Sequence, residues 1–217
     1  MAKNVNRRAV LGTALVGGGA LLGALSGCAA DEPLPNTRPK DETGATTLVV
    51  YFSRAGENYY NGGRRDLQVG NTEVLAMMIR DRIKTDVYRI LEAEPYPESY
   101  DNTVKRNAEE QNTNARPAIA GPLPELGRYT TVLLGSPVWN VRAPMILSTF
   151  LDAVDLSGKT VLPFVSYAVS GMGSVEAEYR ASLPTAEVRT GLAVRGELVA
   201  ESAPAIEAWL RQSGLGT

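Results

Sequence analysis

Short apolar segments alternate with helical segments along most of this chain, and this alternation restricts the possible folds more than any other feature. Residues 47–53 form a nearly continuous apolar run, which is typical of a strand buried on both faces of a sheet. Such alternation predicts an α/β fold, a doubly wound five-stranded parallel sheet with helices on both faces. The predicted strands are 47–53, 86–92, 130–138, 160–168 and 187–194, and the predicted helices are 72–83, 100–114, 144–154, 176–183 and 203–212.

The first residues predict an export signal and not an element of the folded domain. Lys3, Arg7 and Arg8 precede an apolar run rich in Gly and Ala, and no acidic residue occurs before Asp31. The residues around the two arginines resemble a twin-arginine export signal, and Leu-Ser-Gly-Cys28 resembles the lipobox of bacterial lipoproteins. We predict a signal peptide over 1–27 and a lipid on Cys28, which would anchor the chain to the outer face of the bacterial cytoplasmic membrane. An uncleaved signal anchor is the alternative.

The composition changes close to residue 46. Residues 29–45 are rich in Pro, Asp, Glu and Thr and carry almost no large apolar side chain, so they cannot form a packed core. We therefore predict a flexible tether over 28–45, followed by one folded domain over 46–213.

Histidine is absent from the chain, and Cys28 is the only cysteine. These two facts exclude triads with a catalytic histidine, zinc sites built from His or Cys, and any intramolecular disulfide. The net charge of −2 gives no basic surface for nucleic acid. Redox chemistry in this chain would therefore require a bound cofactor.

Unusual loops follow three of the predicted strands at their carboxyl ends, where open parallel sheets bind ligands. Ser53 ends the first strand, and after an intervening segment Gly70-Asn71-Thr72 begins a helix, as expected of a phosphate site. The third strand leads into a loop around Trp139, and the fourth leads into a glycine-rich loop, Ser170–Ser174. Three such loops at neighbouring strand ends predict one ligand site.

Several motifs resemble the flavodoxin family in their order and spacing. They are Tyr-Phe-Ser-Arg54, Gly135-x-Pro-x-Trp139, Ser-Gly-Met-Gly-Ser174 and Gly191-Leu-Ala-Val-Arg-Gly196. The resemblance implies a sheet in the order 2-1-3-4-5, with FMN bound across the three loops. Carried over to this chain, it assigns FMN to Ser53, Arg54, Gly56, Gly70, Asn71, Thr72, Pro137, Val138, Trp139, Asn140, Ser170, Gly171 and Gly173, and it assigns no catalytic acid, base or metal ligand.

The sequence departs from the family pattern at several positions. The phosphate loop is interrupted by an insertion over 55–69, which we interpret as a solvated loop, with a lid over the flavin or a docking edge as alternatives. Ala55 replaces the usual threonine before the loop glycine, Asn140 replaces a second aromatic residue, and Tyr167 occupies a position that is often histidine. Gly70 to Thr72 could instead only cap a helix, and Trp139 could be a core residue. We interpret the acidic pair Glu109 and Glu110 as solvated surface.

The resemblance predicts an FMN protein that transfers electrons, with Gly171 providing a peptide close to the flavin N5. A redox protein or a quinone-like acceptor would be its partner. The first alternative is an FMN-dependent NAD(P)H:quinone-type reductase on the same fold. The second is a binding module that has lost FMN, which the residues at positions 55, 140 and 167 motivate.

Overall fold

The computed structural model describes residues 44–216, so the predicted signal peptide, Cys28 and most of the predicted tether lie outside the described residues. No helix in the described part is long and apolar enough to cross a membrane.

The strands are β1 (Thr47–Phe52), β2 (Gly56–Tyr60), β3 (Gly63–Leu67), β4 (Asp86–Ile90), β5 (Thr131–Pro137), β6 (Thr160–Tyr167), β7 (Glu187–Val188) and β8 (Leu192–Arg195). The helices are α1 (Asn71–Arg80), α2 (Tyr100–Asn112), α3 (Met145–Ala153), α4 (Val175–Ser182) and α5 (Ala203–Gln212), with a 3₁₀ helix at Gly196–Glu201.

The central sheet confirms the predicted fold class and strand order. Within residues 44–216 its strands run β4-β1-β5-β6-β7, with β8 also paired to β6, and every one of these pairings is parallel. Because β1, β5 and β6 are neighbours, the loops that follow them meet at one edge of the sheet.

Side chains of β1 alternate between two cores. Val49 and Tyr51 face the core that α1 and α5 cover, where Trp209 packs as its position on the apolar side of α5 predicts. Val50 and Phe52 face the core that α3 and α4 cover. The continuous apolar run at 47–52 is therefore explained by helices on both faces.

The prediction of one continuous fifth strand over 187–194 is wrong. It forms two short strands, β7 and β8, with a break at residues 189–191. In the break, the carboxylate of Glu176 accepts a hydrogen bond from Gly191 N–H at 2.7 Å, and Thr190 C=O accepts one from Trp209 Nε1 at 3.1 Å. Side chains of α4 and α5 thus satisfy backbone groups that a neighbouring strand would otherwise bind.

The insertion is a β-hairpin, which corrects its interpretation as a solvated loop. Strands β2 and β3 pair only with each other among residues 44–216, in register from Gly56↔Leu67 to Tyr60↔Gly63. Asn61 and Gly62 form the turn, both with positive φ (47° and 84°), as a tight two-residue hairpin turn requires.

The interpretation of Glu110 as solvated surface is also wrong, because Glu110 is buried. Glu109 is exposed, as predicted. The carboxylate of Glu110 accepts a hydrogen bond from Tyr96 OH at 2.8 Å and pairs with Arg106 Nε at 2.8 Å. Burial, together with this hydrogen bond to a carboxylate, raises the pKa of Tyr96 above its usual range. The hydrogen bond between Tyr96 and Glu110 therefore fixes α2 against the segment that precedes it.

Candidate functional site

A cleft of about 370 Å³ lies at the carboxyl ends of β5 and β6, beside the N-terminus of α1. Four aromatic residues line it, each from a different element: Tyr59 of the hairpin, Tyr100 of α2, Trp139 after β5 and Tyr167 at the end of β6. Pro137, Val138 and Asn140 line the same cleft. A cleft of this size with an aromatic wall and a few polar groups suits a planar heteroaromatic ligand.

Trp139 belongs to the cleft and packs against the core at once. Its ring meets Phe52 edge-on at 5.7 Å and Tyr96 edge-on at 5.0 Å between ring centroids. Its carbonyl accepts a hydrogen bond from Gln111 Nε2 at 3.0 Å. The two interpretations of this residue in the sequence are therefore compatible, because the core packing orients a ring that also lines the cleft.

A tight turn follows Trp139. Trp139 N–H donates to Arg142 C=O at 2.8 Å, and Arg142 N–H donates back at 3.1 Å. Asn140 and Val141 both have positive φ (49° and 62°), which is uncommon for a β-branched residue such as Val141. Asn140 Nδ2 also donates to Gln111 Oε1 at 2.9 Å, so α2 holds this turn in place.

The glycine-rich loop supports that turn instead of lining the cleft. Gly173 has a φ of 55°, and a Cβ there would collide with Val141 C=O, so only glycine allows this approach. Ser174 N–H donates to the same carbonyl at 2.8 Å, and the Ser174 hydroxyl lies 3.0 Å from it and 2.7 Å from Glu178 Oε1. Ser170, Gly171 and Gly173 are not among the residues that line the cleft, and their contact with a flavin stays a prediction.

The N-terminus of α1 lies at one end of the cleft, where Asn71 is a lining residue. The helix begins at Asn71, so the first-turn amides of Asn71 and Thr72 have no acceptor within the helix. Gly70 packs so closely on Ser53 that a Cβ would overlap its hydroxyl oxygen. This hydroxyl accepts the Glu73 N–H at 3.0 Å, so Ser53 caps the helix and keeps its own O–H proton free to donate.

Thr72 and Arg54 are already engaged within the protein. The Thr72 hydroxyl is buried and lies 2.7 Å from Ser166 Oγ, so it joins α1 to β6. Arg54 donates to the carbonyls of Glu57 and Glu98 and to the hydroxyl of Thr103, at 2.7 to 3.2 Å. Burial lowers the pKa of Arg54. Its guanidinium therefore ties the start of the insertion to α2, although it also lines the cleft.

A larger and more open cleft, about 650 Å³, borders the base of the hairpin and β3. Gly56 and Ser53 line this cleft. Gly56 has a positive φ of 78°, and a Cβ there would stand 3.1 Å from Glu98 C=O. Its lining includes several arginines and carboxylates, and Arg89 there is already paired with Glu73 at 3.1 Å. The smaller cleft is the better candidate because it combines the aromatic wall with the α1 N-terminus.

Sequence reasoning missed the part of the cleft that α2 and the hairpin form. Tyr100, Thr103, Val104 and Asn107 line it from one face of α2, at spacings of three and four residues. That spacing was visible, but the face is mostly polar, so it was not distinguished from a solvated surface. Glu197, at the start of the 3₁₀ helix, also lines the cleft and had no sequence signal.

A family model described as flavodoxin matches residues 67–213, which is more than half of the chain. The chain belongs to the flavodoxin family. None of the curated proteins matches it. The match begins at the last residue of the inserted hairpin, so it includes α1 and all the later elements of this flavodoxin-family chain.

Solved structures agree with this assignment. A protein described as a flavoprotein from Bacteroides eggerthii is 28% identical, with a TM-score of 0.61 over 77% of this chain and 96% of its own. Another from Bacteroides uniformis is 26% identical, with a TM-score of 0.62 over 77% and 99%. A Lactobacillus acidophilus flavoprotein solved with FMN is 18% identical, with a TM-score of 0.54 over 73% and 98%, and shows the shared fold.

Proposed function

We propose that this flavodoxin-family chain binds FMN in the aromatic cleft and transfers electrons outside the cytoplasmic membrane, held there by a lipid on Cys28. The observation that carries the proposal is the position of the cleft. It runs from the amino end of α1, which favours a phosphate, to an aromatic wall that suits an isoalloxazine ring. The FMN complex of the Lactobacillus acidophilus protein, which has the same fold, supports this choice of cofactor.

The residues present fit FMN at both ends of the cleft. At the phosphate end, the first-turn amides of Asn71 and Thr72 are the donors available, while Ser53, which caps α1, borders the other cleft and its contact with FMN stays a prediction. At the ring end, Trp139 and Tyr167 offer flat apolar surface, and Trp139 is held rigidly by its edge-on contacts. The alanine at position 55, where the family often has threonine, removes a hydroxyl that backbone amides can replace.

Bound FMN would supply the redox chemistry, since it accepts and releases electrons singly or in pairs. The chain's own residues bind and orient it and exclude water from one face of the ring. Apolar side chains around the ring disfavour an added negative charge on it, so the cleft would lower the potential of the last reduction step. No side chain of the cleft is assigned to proton transfer.

Titration of the purified chain with FMN tests the cofactor proposal. We expect flavin absorbance bands between about 350 and 500 nm that shift on binding and stay with the protein through gel filtration. If the protein remains colourless at saturating FMN, the proposal is wrong and the alternative of a binding module without FMN is supported. Steady turnover of NADPH with a quinone by the FMN-loaded protein would instead support the reductase alternative.

The anchor is tested separately, in cells of a bacterium that processes lipoproteins. We expect the chain to incorporate labelled fatty acid and to sediment with membranes, because an acylated Cys28 would insert into the bilayer. Cys28→Ala should lose the label, and Ser26→Ala, a change that keeps the cysteine, is the matched control. Membrane association without any label would favour the uncleaved signal anchor.

A further inference from the structure

The inserted hairpin lies across the aromatic cleft and is held at both of its ends. At its base, Glu57 N–H donates to Glu98 C=O at 3.0 Å, and the Glu57 carboxylate accepts Tyr100 N–H at 2.9 Å. At its tip, Asn61 N–H donates to the carboxylate of Glu197 at 2.8 Å. The base is thus tied to α2 and the tip to the 3₁₀ helix, and both of these elements line the cleft.

A third contact holds the middle of the hairpin to α2. The guanidinium of Arg64 lies 3.7 Å from the centroid of the Tyr100 ring and 3.3 Å from the carboxylate of Asp101. Asp101 is mostly exposed, so this ion pair is weak. The stacking on Tyr100 matters more, because it places β3 against a residue that itself lines the cleft.

The two tyrosines of β2 differ in their surroundings. Tyr59 lines the cleft, as does its neighbour Asn58. Tyr60 does not line it and lies under Arg65, with 4.8 Å from the guanidinium to the ring centroid. Of these two aromatic rings, the hairpin therefore presents only that of Tyr59 to the cleft.

The contact at the tip involves a charged acceptor in a shielded position. The side chain of Glu197 is 5% exposed, and its second oxygen pairs with Arg195 Nε at 3.1 Å. Burial by itself would raise the pKa of Glu197, but the hydrogen bond from Asn61 N–H and the charge of Arg195 outweigh it, so the pKa is lowered. The carboxylate is therefore ionised at neutral pH, and hydrogen bonds to ionised acceptors are the stronger kind.

We propose that the hairpin β2–β3 is a latched strap over the cofactor: Tyr59 holds the flavin in the cleft, and the Asn61–Glu197 contact keeps the hairpin closed. This inference rests on the proposed binding of FMN. It explains how the chain functions with Asn140 where relatives carry a second aromatic residue, because Tyr59 brings another aromatic ring to the same cleft. FMN leaves the cleft only after the tip contact breaks.

The rate at which FMN dissociates tests the strap directly. The FMN-loaded chain is diluted, and the recovery of free flavin fluorescence gives the dissociation rate. We expect Tyr59→Ala to raise that rate roughly tenfold to a hundredfold, the range for loss of one aromatic stacking partner. Glu197→Gln should raise it about tenfold, because a neutral acceptor holds Asn61 N–H less well. The matched controls are Tyr60→Ala on the same strand and Glu201→Gln on the same 3₁₀ helix, where the side chain is exposed.

Trypsin gives a second readout, since Arg64 and Arg65 are cleavage sites within the hairpin. FMN should slow cleavage there, and Glu197→Gln should speed it in the apoprotein while Glu201→Gln does not. A thermal melt by circular dichroism confirms that each variant is folded.

The outcomes separate the two proposals. A wild-type chain that takes up no FMN overturns the proposed function, and the strap inference with it. A wild-type chain that binds FMN, with Tyr59→Ala and Glu197→Gln releasing it at the rates of their controls and with no protection of Arg64 and Arg65, overturns the strap alone.

Discussion

Replacing Gly135 by alanine is expected to destabilise the protein by about 3 kcal/mol, the upper range for overpacking a closed core. Gly135 lies opposite Phe164 in the β5–β6 register. A Cβ at this position would stand 2.7 Å from Cε1 of the Phe164 ring and closer still to Cζ and Cε2. Phe164 is fully buried and packs against Trp209 at 6.5 Å, so its ring has no open space to move into.

Urea denaturation followed by circular dichroism checks this. Gly135→Ala should lower the midpoint without changing the slope, since the surface exposed on unfolding is the same. Gly127→Ala is the matched control, because a Cβ there would meet nothing within 4 Å. Phe164→Leu, added to Gly135→Ala, should recover part of the loss by giving the new methyl group room. A Gly135→Ala protein as stable as wild type would contradict the packing argument.

The Gly135 contact also explains the first residue of the Gly-x-Pro-x-Trp motif. The glycine lets the Phe164 ring cross over β5, and two residues later Pro137 ends the strand. The chain then turns so that Trp139 packs edge-on against Phe52. The glycine of the motif is therefore required by core packing. The tryptophan of the motif is held at the cleft by its contact with the core.

The central sheet could be predicted because its strands are buried on both faces, which leaves continuous apolar runs such as 47–52. The hairpin was predictable in principle but was missed. Asn61-Gly62 is the dipeptide that favours a two-residue hairpin turn, yet the flanking residues of β3 are mostly charged and do not alternate. A hairpin stabilised by contacts with α2 and with Glu197 needs no apolar face of its own.

Other features of the site depend on long-range contacts that periodicity does not reveal. Glu110 is buried because Tyr96, in an irregular segment, donates to it. The position of the glycine-rich loop after β6 assigns it to the cofactor, which stays a prediction, and the sequence does not show that Gly173 also supports Val141 in the preceding loop. In both cases the partner is set by how two loops or a loop and a helix meet, which a single sequence does not specify.

The second large effect is expected from Asn71→Asp, which should weaken FMN binding about a hundredfold at low salt and leave riboflavin binding unchanged. Asn71 begins α1 and lines the cleft at the end where the phosphate is proposed to lie. The substitution hardly changes the shape of the side chain but adds a negative charge. Repulsion between that charge and the phosphate, on the order of 2 to 4 kcal/mol for partly shielded charges a few ångströms apart, opposes FMN but not riboflavin, which has no phosphate.

Quenching of flavin fluorescence gives both dissociation constants, in wild type and variant, at two salt concentrations. The loss of FMN affinity caused by Asn71→Asp should become smaller as the salt concentration rises, because screening weakens the repulsion. Asn102→Asp is the matched control, since it adds the same charge in the first turn of α2 on an exposed residue. Stability should not fall in Asn71→Asp, because a carboxylate at a helix N-terminus is favourable. Equal losses for FMN and riboflavin would mean that the phosphate lies elsewhere, and the orientation of the flavin in the cleft would have to be reversed.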